Sequence, residues 1–347
     1  MAKEQRRQRR RDRVTLADVA AAAGVSRTTV SWVLNDRARR IPDSTRRRVR
    51  AAAKRLGYRP NRIARQLRAG RRHAVGIVTA LSVPNVANLL RSLAAEVKCL
   101  EHQLEIMDGG LDAQIELEAL RTLVEQQVDA IVLMGDRDPT WPGTDELEQI
   151  HAAGLPCIAV SVHRPGSQVP FVTSDHVRMA ALATEHLAAR NRVRIALVSE
   201  PAAASGPTTL LGLRLQGYLE ALQAVGLEPV ARSIADVMQL SGETETGLAT
   251  CIQTCDAIVA ASDVSALRVI RTAREQGVEL PADLAVVAIG ESPLVELVSP
   301  RVSQVVQPHA AYVRGIARIL RDVLRDPKAW NGRSIVTRPR LIARESS

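Results

Sequence analysis

The sequence predicts a small all-helical head followed by a doubly wound α/β body, and three observations carry that prediction. Positive charge is gathered at one end: residues 1–72 hold 23 Lys and Arg against 5 Asp and Glu, whereas the remainder holds 24 against 32. Within that basic end, TLADVAAAAGVSRTTVSWVLN, Thr15 to Asn35, is an Ala-rich amphipathic pattern broken at one glycine and restarted at a serine. Beyond His73, short runs of Val, Ile and Ala alternate with longer amphipathic stretches, the pattern of strand and helix in turn.

At 347 residues the chain suits two or three domains. The expected division is a basic tail over 1–13, a helical domain over 14–57, a linker over 58–72 and an α/β domain over 73–347. With 46% hydrophobic and 24% charged residues and no run of 18 apolar residues, neither a membrane span nor a signal peptide is expected, so the reading is cytoplasmic. The four cysteines are too few and too scattered for a disulfide framework and read as reduced, buried thiols. Cys251 and Cys255 lie one helical turn apart, but no further pair or histidine cluster completes a metal site.

The head justifies itself element by element. Thr15 can N-cap a first helix with Asp18 closing a capping box, and Leu16, Val19, Ala20 and Ala23 form its apolar face. Gly24 relieves the cost of a left-handed turn, after which Ser26 offers its hydroxyl to the amides of a second helix, Arg27 to Asn35. Val30, Val33 and Leu34 face inward, leaving Arg27, Thr28, Ser31 and Trp32 outward. Pro42 at a first helical position opens a third helix that Gly57 stops, and Val49, Ala52, Ala53 and Leu56 close a small core. Helix, glycine turn and helix beside dense positive charge is the arrangement that sets a recognition helix into a DNA major groove.

These residues carry a family resemblance. VTLADVAAAAGVSRTTVSWVLN and TRRRVRAAAKRLGYRPNRIARQLRAGR together resemble the N-terminal domain and hinge of lactose-repressor (LacI/GalR-type) transcription regulators. The resemblance implies that Thr15, Ser26, Arg27, Thr28, Ser31, Trp32 and Asn35 serve the DNA interface. It further implies that Tyr58 to Arg68 is a hinge helix ordered on operator DNA, with Tyr58, Asn61, Arg62, Ala64 and Arg68 at the duplex and Leu67 pushed into the minor groove. An apolar wedge of that kind unstacks a base step and bends the duplex. Where the family commonly has an arginine this chain has Trp32, which lacks the bidentate donors that read guanine. The partners implied are a double-stranded, pseudo-palindromic operator and a second copy of the chain, in a regulator that is most often a repressor.

In the body, AVGIVTAL, LEIMDG, DAIVLMG, PCIAVSV, RVRIALVSE, DAIVAAS and LAVVAIG read as strands buried on both faces, with ligands expected at their carboxyl ends. No G-x-G-x-x-G or P-loop follows a strand, so no nucleotide cofactor is indicated. No nucleophile elbow, H-E-x-x-H or paired carboxylates appear, so the reading is not an enzyme. The body resembles the same family, which implies two similar subdomains of the periplasmic-binding-protein type joined by three crossovers around an effector cleft. The family's effector arginine falls on Arg214, ahead of Gly217 and Tyr218. Its A-N-D pattern becomes Ala261, Ser262, Asp263; its G-F-D-D pattern becomes Ala288 to Glu291, with Gly290 in place of a carboxylate; its D-R becomes Ser161 and Val162; and Pro84 to Ala87 lack its stacking aromatics. A sugar site needs directional acceptors and an aromatic face, so the expectation is either no effector or a small anionic or weakly polar one. Arg214 reads either as that effector's anchor or as a structural partner of Asp263.

Overall fold

In a computed structural model of the chain, the described residues are 14–34, 41–58, 72–83, 86–110, 112–135, 142–161, 166–199, 209–231, 236–237 and 245–347. They fall into two compact units divided between Arg72 and His73.

The first unit holds α1 (Leu16–Ala23), α2 (Arg27–Leu34) and α3 (Asp43–Arg55). Local chemistry sets each boundary. The Thr15 hydroxyl accepts from the Asp18 amide while the Asp18 carboxylate takes the Thr15 amide at 2.7 Å, a reciprocal cap. Gly24 ends α1 in the left-handed conformation at φ +60°, where a side chain would be strained. Ser26 then accepts the Thr29 amide at 3.1 Å and starts α2. Pro42 sits just before α3 as its N-cap, one position earlier than the sequence suggested. Val19, Val30, Val33 and Val49 are fully enclosed with Ala20, Ala23, Ala52 and Ala53, and Tyr58 packs against their edge.

The second unit is a pair of doubly wound sheets. The first sheet runs β10-β5-β4-β3-β1-β2 and is parallel throughout: β1 (Ala74–Thr79), β2 (Gln103–Asp108), β3 (Ala130–Met134), β4 (Cys157–Val160), β5 (Phe171–Ser174) and β10 (Ser334–Thr337). The second runs β11-β9-β8-β7-β6, with β6 (Ile195–Val198), β7 (Ala257–Ala260), β8 (Ala285–Ile289) and β9 (Ser303–Val306) parallel and β11 (Arg340–Ile342) antiparallel at the edge. β1, β3, β4, β6, β7 and β8 are buried along their whole length, which is why they read as unbroken Val, Ile and Ala. β5, β9, β10 and β11 were missed in the sequence because they carry polar or alternating residues that resemble loops.

The two sheets exchange helices. After β5 the chain enters α7 (His176–Ala188), whose Met179, Ala180, Ala183 and Leu187 pack on the second sheet beside α8 (Leu210–Ala224). After β9 it enters α11 (His309–Val323), whose Tyr312, Ile316 and Leu320 pack back on the first sheet. With the return from β10 to β11 this makes three crossings. They are tied together where they pass: the Ser174 hydroxyl donates to Gln307 Oε1 at 2.6 Å and bonds Thr337 Oγ1 at 2.9 Å, and the Asp175 amide donates to the Thr337 carbonyl.

All four cysteines are free thiols, but Cys99 is exposed rather than buried, because it lies on the outer face at the end of a helix. Cys251 and Cys255 are buried with their sulfurs 3.9 Å apart. Among the described residues no helix is long and apolar enough to cross a membrane.

Candidate nucleic-acid interface and ligand cleft

The outward face of α2 is what the head leaves uncovered once its core has closed. Arg27, Thr28 and Trp32 are exposed, Trp32 by half, and Ser31 is half-buried beside them. Thr15 and Ser26 are occupied as helix caps, so their sequence-assigned place at the interface coincides with a structural task. Arg47, Arg48, Arg50, Lys54 and Arg55 are exposed along α3 and add a row of cations within the same small domain. Tyr58 is half-buried against the head core, while Asn35, Asn61, Arg62, Ala64, Leu67 and Arg68 lie outside the described residues.

In the body, Ser161, Ala261 to Asp263 and Gly290 all stand just beyond the carboxyl ends of their strands, and Arg214 lies one turn into α8. Arg214 can take that position because α8 lies directly against α7. A Cβ on Gly217 would come within 1.9 Å of the Val177 carbonyl oxygen, so glycine is required three residues after the arginine. Arg214 Nη1 donates to the Ala261 carbonyl at 2.5 Å.

The remaining groups are turned upon one another. The Asp263 carboxylate accepts the Glu291 and Ser292 amides at 2.9 and 2.8 Å and the Gln304 carboxamide at 3.0 Å. Burial pushes its carboxyl above the ordinary range, while those donors and the charge of Arg214 pull the other way. Gly290 follows from that arrangement: a Cβ there would lie 2.1 Å from Asp263 Oδ2, so any side chain at this position requires the Asp263 carboxylate to move. Ser262 caps α10 (Asp263–Glu275) by accepting the Ser265 amide at 3.0 Å. Ser161, at φ +65°, shares a 2.7 Å hydrogen bond with the hydroxyl of Tyr312, whose ionisation burial pushes up to about 12. Val162, Pro84 and Asn85 lie outside the described residues.

Sequence reasoning missed Gln304, Tyr312 and His176. His176 begins α7 immediately after the first crossing and is buried beside Arg214. Burial first, and then the arginine's charge, push its imidazole down to about 3, so it is neutral at physiological pH. The signal for it was its place after a strand end; its isolation from other histidines hid it. Among the described residues, a cavity of about 360 Å³ opens at the amino ends of the first sheet's strands, beside His151, Gln168, Lys328 and Asn331. It holds none of the residues that the sequence marked.

Comparison with known proteins matches both units. Residues 15–61 match the bacterial regulatory proteins of the lacI family, and residues 184–347 match the periplasmic binding protein-like domain. The HTH-type transcriptional regulator CelR of Thermobifida fusca is 32% identical over 97% of this chain and 99% of its own. The regulator MalR of Streptomyces coelicolor is 30% identical over 96% of each. Among solved structures, a CelR–cellobiose complex aligns at a TM-score of 0.67 with 31% identity, covering 96% of this chain and 100% of that one. The lac repressor dimer bound to operator and the anti-inducer ONPF aligns at 0.78 with 25% identity, covering 96% and 99%. A glycine-turned pair of helices with an open polar face, joined in sequence to two sheets that exchange helices, is thus shared across whole chains, and this protein belongs to the lacI family of DNA-binding transcriptional regulators.

Proposed function

We propose that the protein is a repressor that binds a pseudo-palindromic operator as a homodimer in the cytoplasm, with a cleft that answers to a small anionic or weakly polar effector rather than to a neutral sugar. The carrying observation is the outward face of α2, where Arg27, Thr28 and Trp32 stand exposed over a closed core. One such helix reads a half-site; two related by a dyad read a palindrome and bring both copies of Leu67 to its centre. The lac repressor dimer on its operator supports that assembly. The effector reading rests on Asp263, Ser161 and Ser262 being engaged within the chain and on Gly290 having no side chain, which leaves few acceptors for sugar hydroxyls. Homologues that are transcriptional regulators favour a non-enzymatic role.

Footprinting on library-selected DNA tests the reading. The expected result is two protected half-sites related by a dyad, with affinity falling steeply as salt rises and bending reduced by Leu67→Ala. A single asymmetric half-site bound by a monomer overturns it.

A further inference from the structure

Among the described residues, His176 is a buried titratable group with neither ring nitrogen engaged by the fold. Its side chain is almost wholly enclosed, yet neither Nδ1 nor Nε2 has a hydrogen-bond partner among the described residues. A neutral imidazole carries one N–H donor and one acceptor, and protein interiors rarely leave both without a partner. Nothing in the packing demands a histidine here, since the apolar residues of α7 already fill the core of the second sheet.

We infer that His176 is a ligand-contacting residue of the cleft and that the ligand is a short-chain hydroxy acid, its single anionic group drawn by Arg214 and its neighbouring hydroxyl paired with the imidazole. The inference rests on the regulatory reading above and goes beyond it by naming the ligand chemistry. Charge selects a monoanion. Arg214 supplies a cation; His176, held neutral, supplies none; and the Asp263 carboxylate faces Arg214, with Glu291 on the far side of Asp263, within reach of the charge of Arg340. The Asp263 charge is itself met by two backbone amides and Gln304. A second anionic group on the ligand would find like charge. A hydroxyl, by contrast, is both donor and acceptor and complements either ring nitrogen.

The test uses the full chain, His176→Phe and His176→Met, titrated with L-lactate, D-glycerate and D-gluconate, with propionate and hexanoate as acids that lack the hydroxyl. The native protein is expected to bind at least one hydroxy acid about tenfold more tightly than the plain acids, the size of one hydrogen bond. His176→Phe should raise the melting temperature of the free protein by about 2–4 °C, because an apolar ring replaces an unsatisfied polar one, and should lose the preference for the hydroxyl. If His176→Phe does not fold, His176→Met gives the same comparison. A native protein indifferent to the hydroxyl, or a variant that keeps the preference, overturns the inference. Operator binding by the same samples without acid reports separately on the regulatory reading: its absence in the native protein sinks that reading, whereas its presence together with indifference to the hydroxyl sinks only the ligand assignment.

Discussion

The head and the cleft of this protein are built in opposite ways. The head comes from one short stretch of chain: capped helices close over Val19, Val30, Val33 and Val49, and whatever points away from them is presented to a partner. The cleft comes from strand ends and helix starts far apart in sequence, around Ser161, His176, Arg214, Asp263 and Gly290, and most of its polar groups meet one another first. Asp263 is taken by backbone amides and Gln304, Ser161 by Tyr312, and Ser262 by the helix it starts. A locally built surface keeps its side chains available, whereas a cleft assembled from distant turns can consume its own hydrogen-bonding capacity. Identity to a relative that binds cellobiose therefore says more about this chain's DNA-facing half than about its ligand.

The largest effect expected from probing that contrast is at Gly217. Alanine would place a Cβ 1.9 Å from the Val177 carbonyl, and because backbone rather than a flexible tip is in the way, α7 and α8 must separate. A loss of about 3 kcal/mol, the upper end of the overpacking range, should appear in equilibrium urea unfolding. An unchanged midpoint would show that the two helices are not locked together as described.

Next in size is Gly290→Ala, where the Cβ meets the Asp263 carboxylate instead of backbone. The carboxylate can swing away, but only by giving up the Glu291 and Ser292 amides, so a loss of about 1–3 kcal/mol is expected in the same measurement. Gly290→Asp, which restores the family's acid, should cost more than alanine because it sets like charge beside a buried carboxylate, and it should not confer binding of a neutral sugar. Tight binding of cellobiose by Gly290→Asp would show that one missing acceptor, rather than the self-engagement of the cleft, is what excludes sugars.

What was legible in the sequence follows the same division. The caps at Thr15 and Ser26, the left-handed Gly24 and the inward valines of α2 were read correctly, because each is decided by neighbours within four residues. The buried strands were legible from their apolar runs, but LEIMDG, expected to be buried on both faces, is the edge strand β2, whose residues are exposed or half-buried. Edge and crossing strands were not, since Ser174, Gln304, Gln307 and Thr337 are polar residues spent on contacts between distant segments. Arg214 was recognised, but the reason for glycine at 217 and 290, and the place of His176, depend on what the chain brings against them, and spacing does not encode that.

A smaller effect is expected in the head. Thr15→Ala removes one half of the reciprocal cap and should cost about 1 kcal/mol of head stability at neutral pH. The Thr15 amide and hydroxyl hold the Asp18 carboxyl below its ordinary value. A depressed carboxyl stabilises the fold above its unfolded value near 3.8 and loses that contribution as pH falls below it, so the wild-type advantage over Thr15→Ala should shrink in acid. Thermal melts at pH 7 and pH 3 measure this, and an advantage that grows in acid would contradict the capping account.

The smallest effect on stability, and the most informative one for function, is expected at Trp32. Its indole is half exposed on the face of α2 that carries Arg27 and Thr28, while the helix's core contacts are made by Val30 and Val33. Trp32→Arg should therefore leave the unfolding free energy within about 0.5 kcal/mol of the wild type, the range of an ordinary surface change. The selected operator should nevertheless shift. Tryptophan can offer a thymine methyl an apolar contact or lie along a sugar, whereas arginine brings two parallel donors that match O6 and N7 of guanine and discriminate by about 1–3 kcal/mol. Library selection with both proteins should give motifs that differ at one symmetric position, toward guanine for the variant, with the flanking positions retained. A shared motif together with a large loss of stability would mean that the indole belongs to the head core, and the proposed difference between an open head and a self-engaged cleft would lose its clearest example.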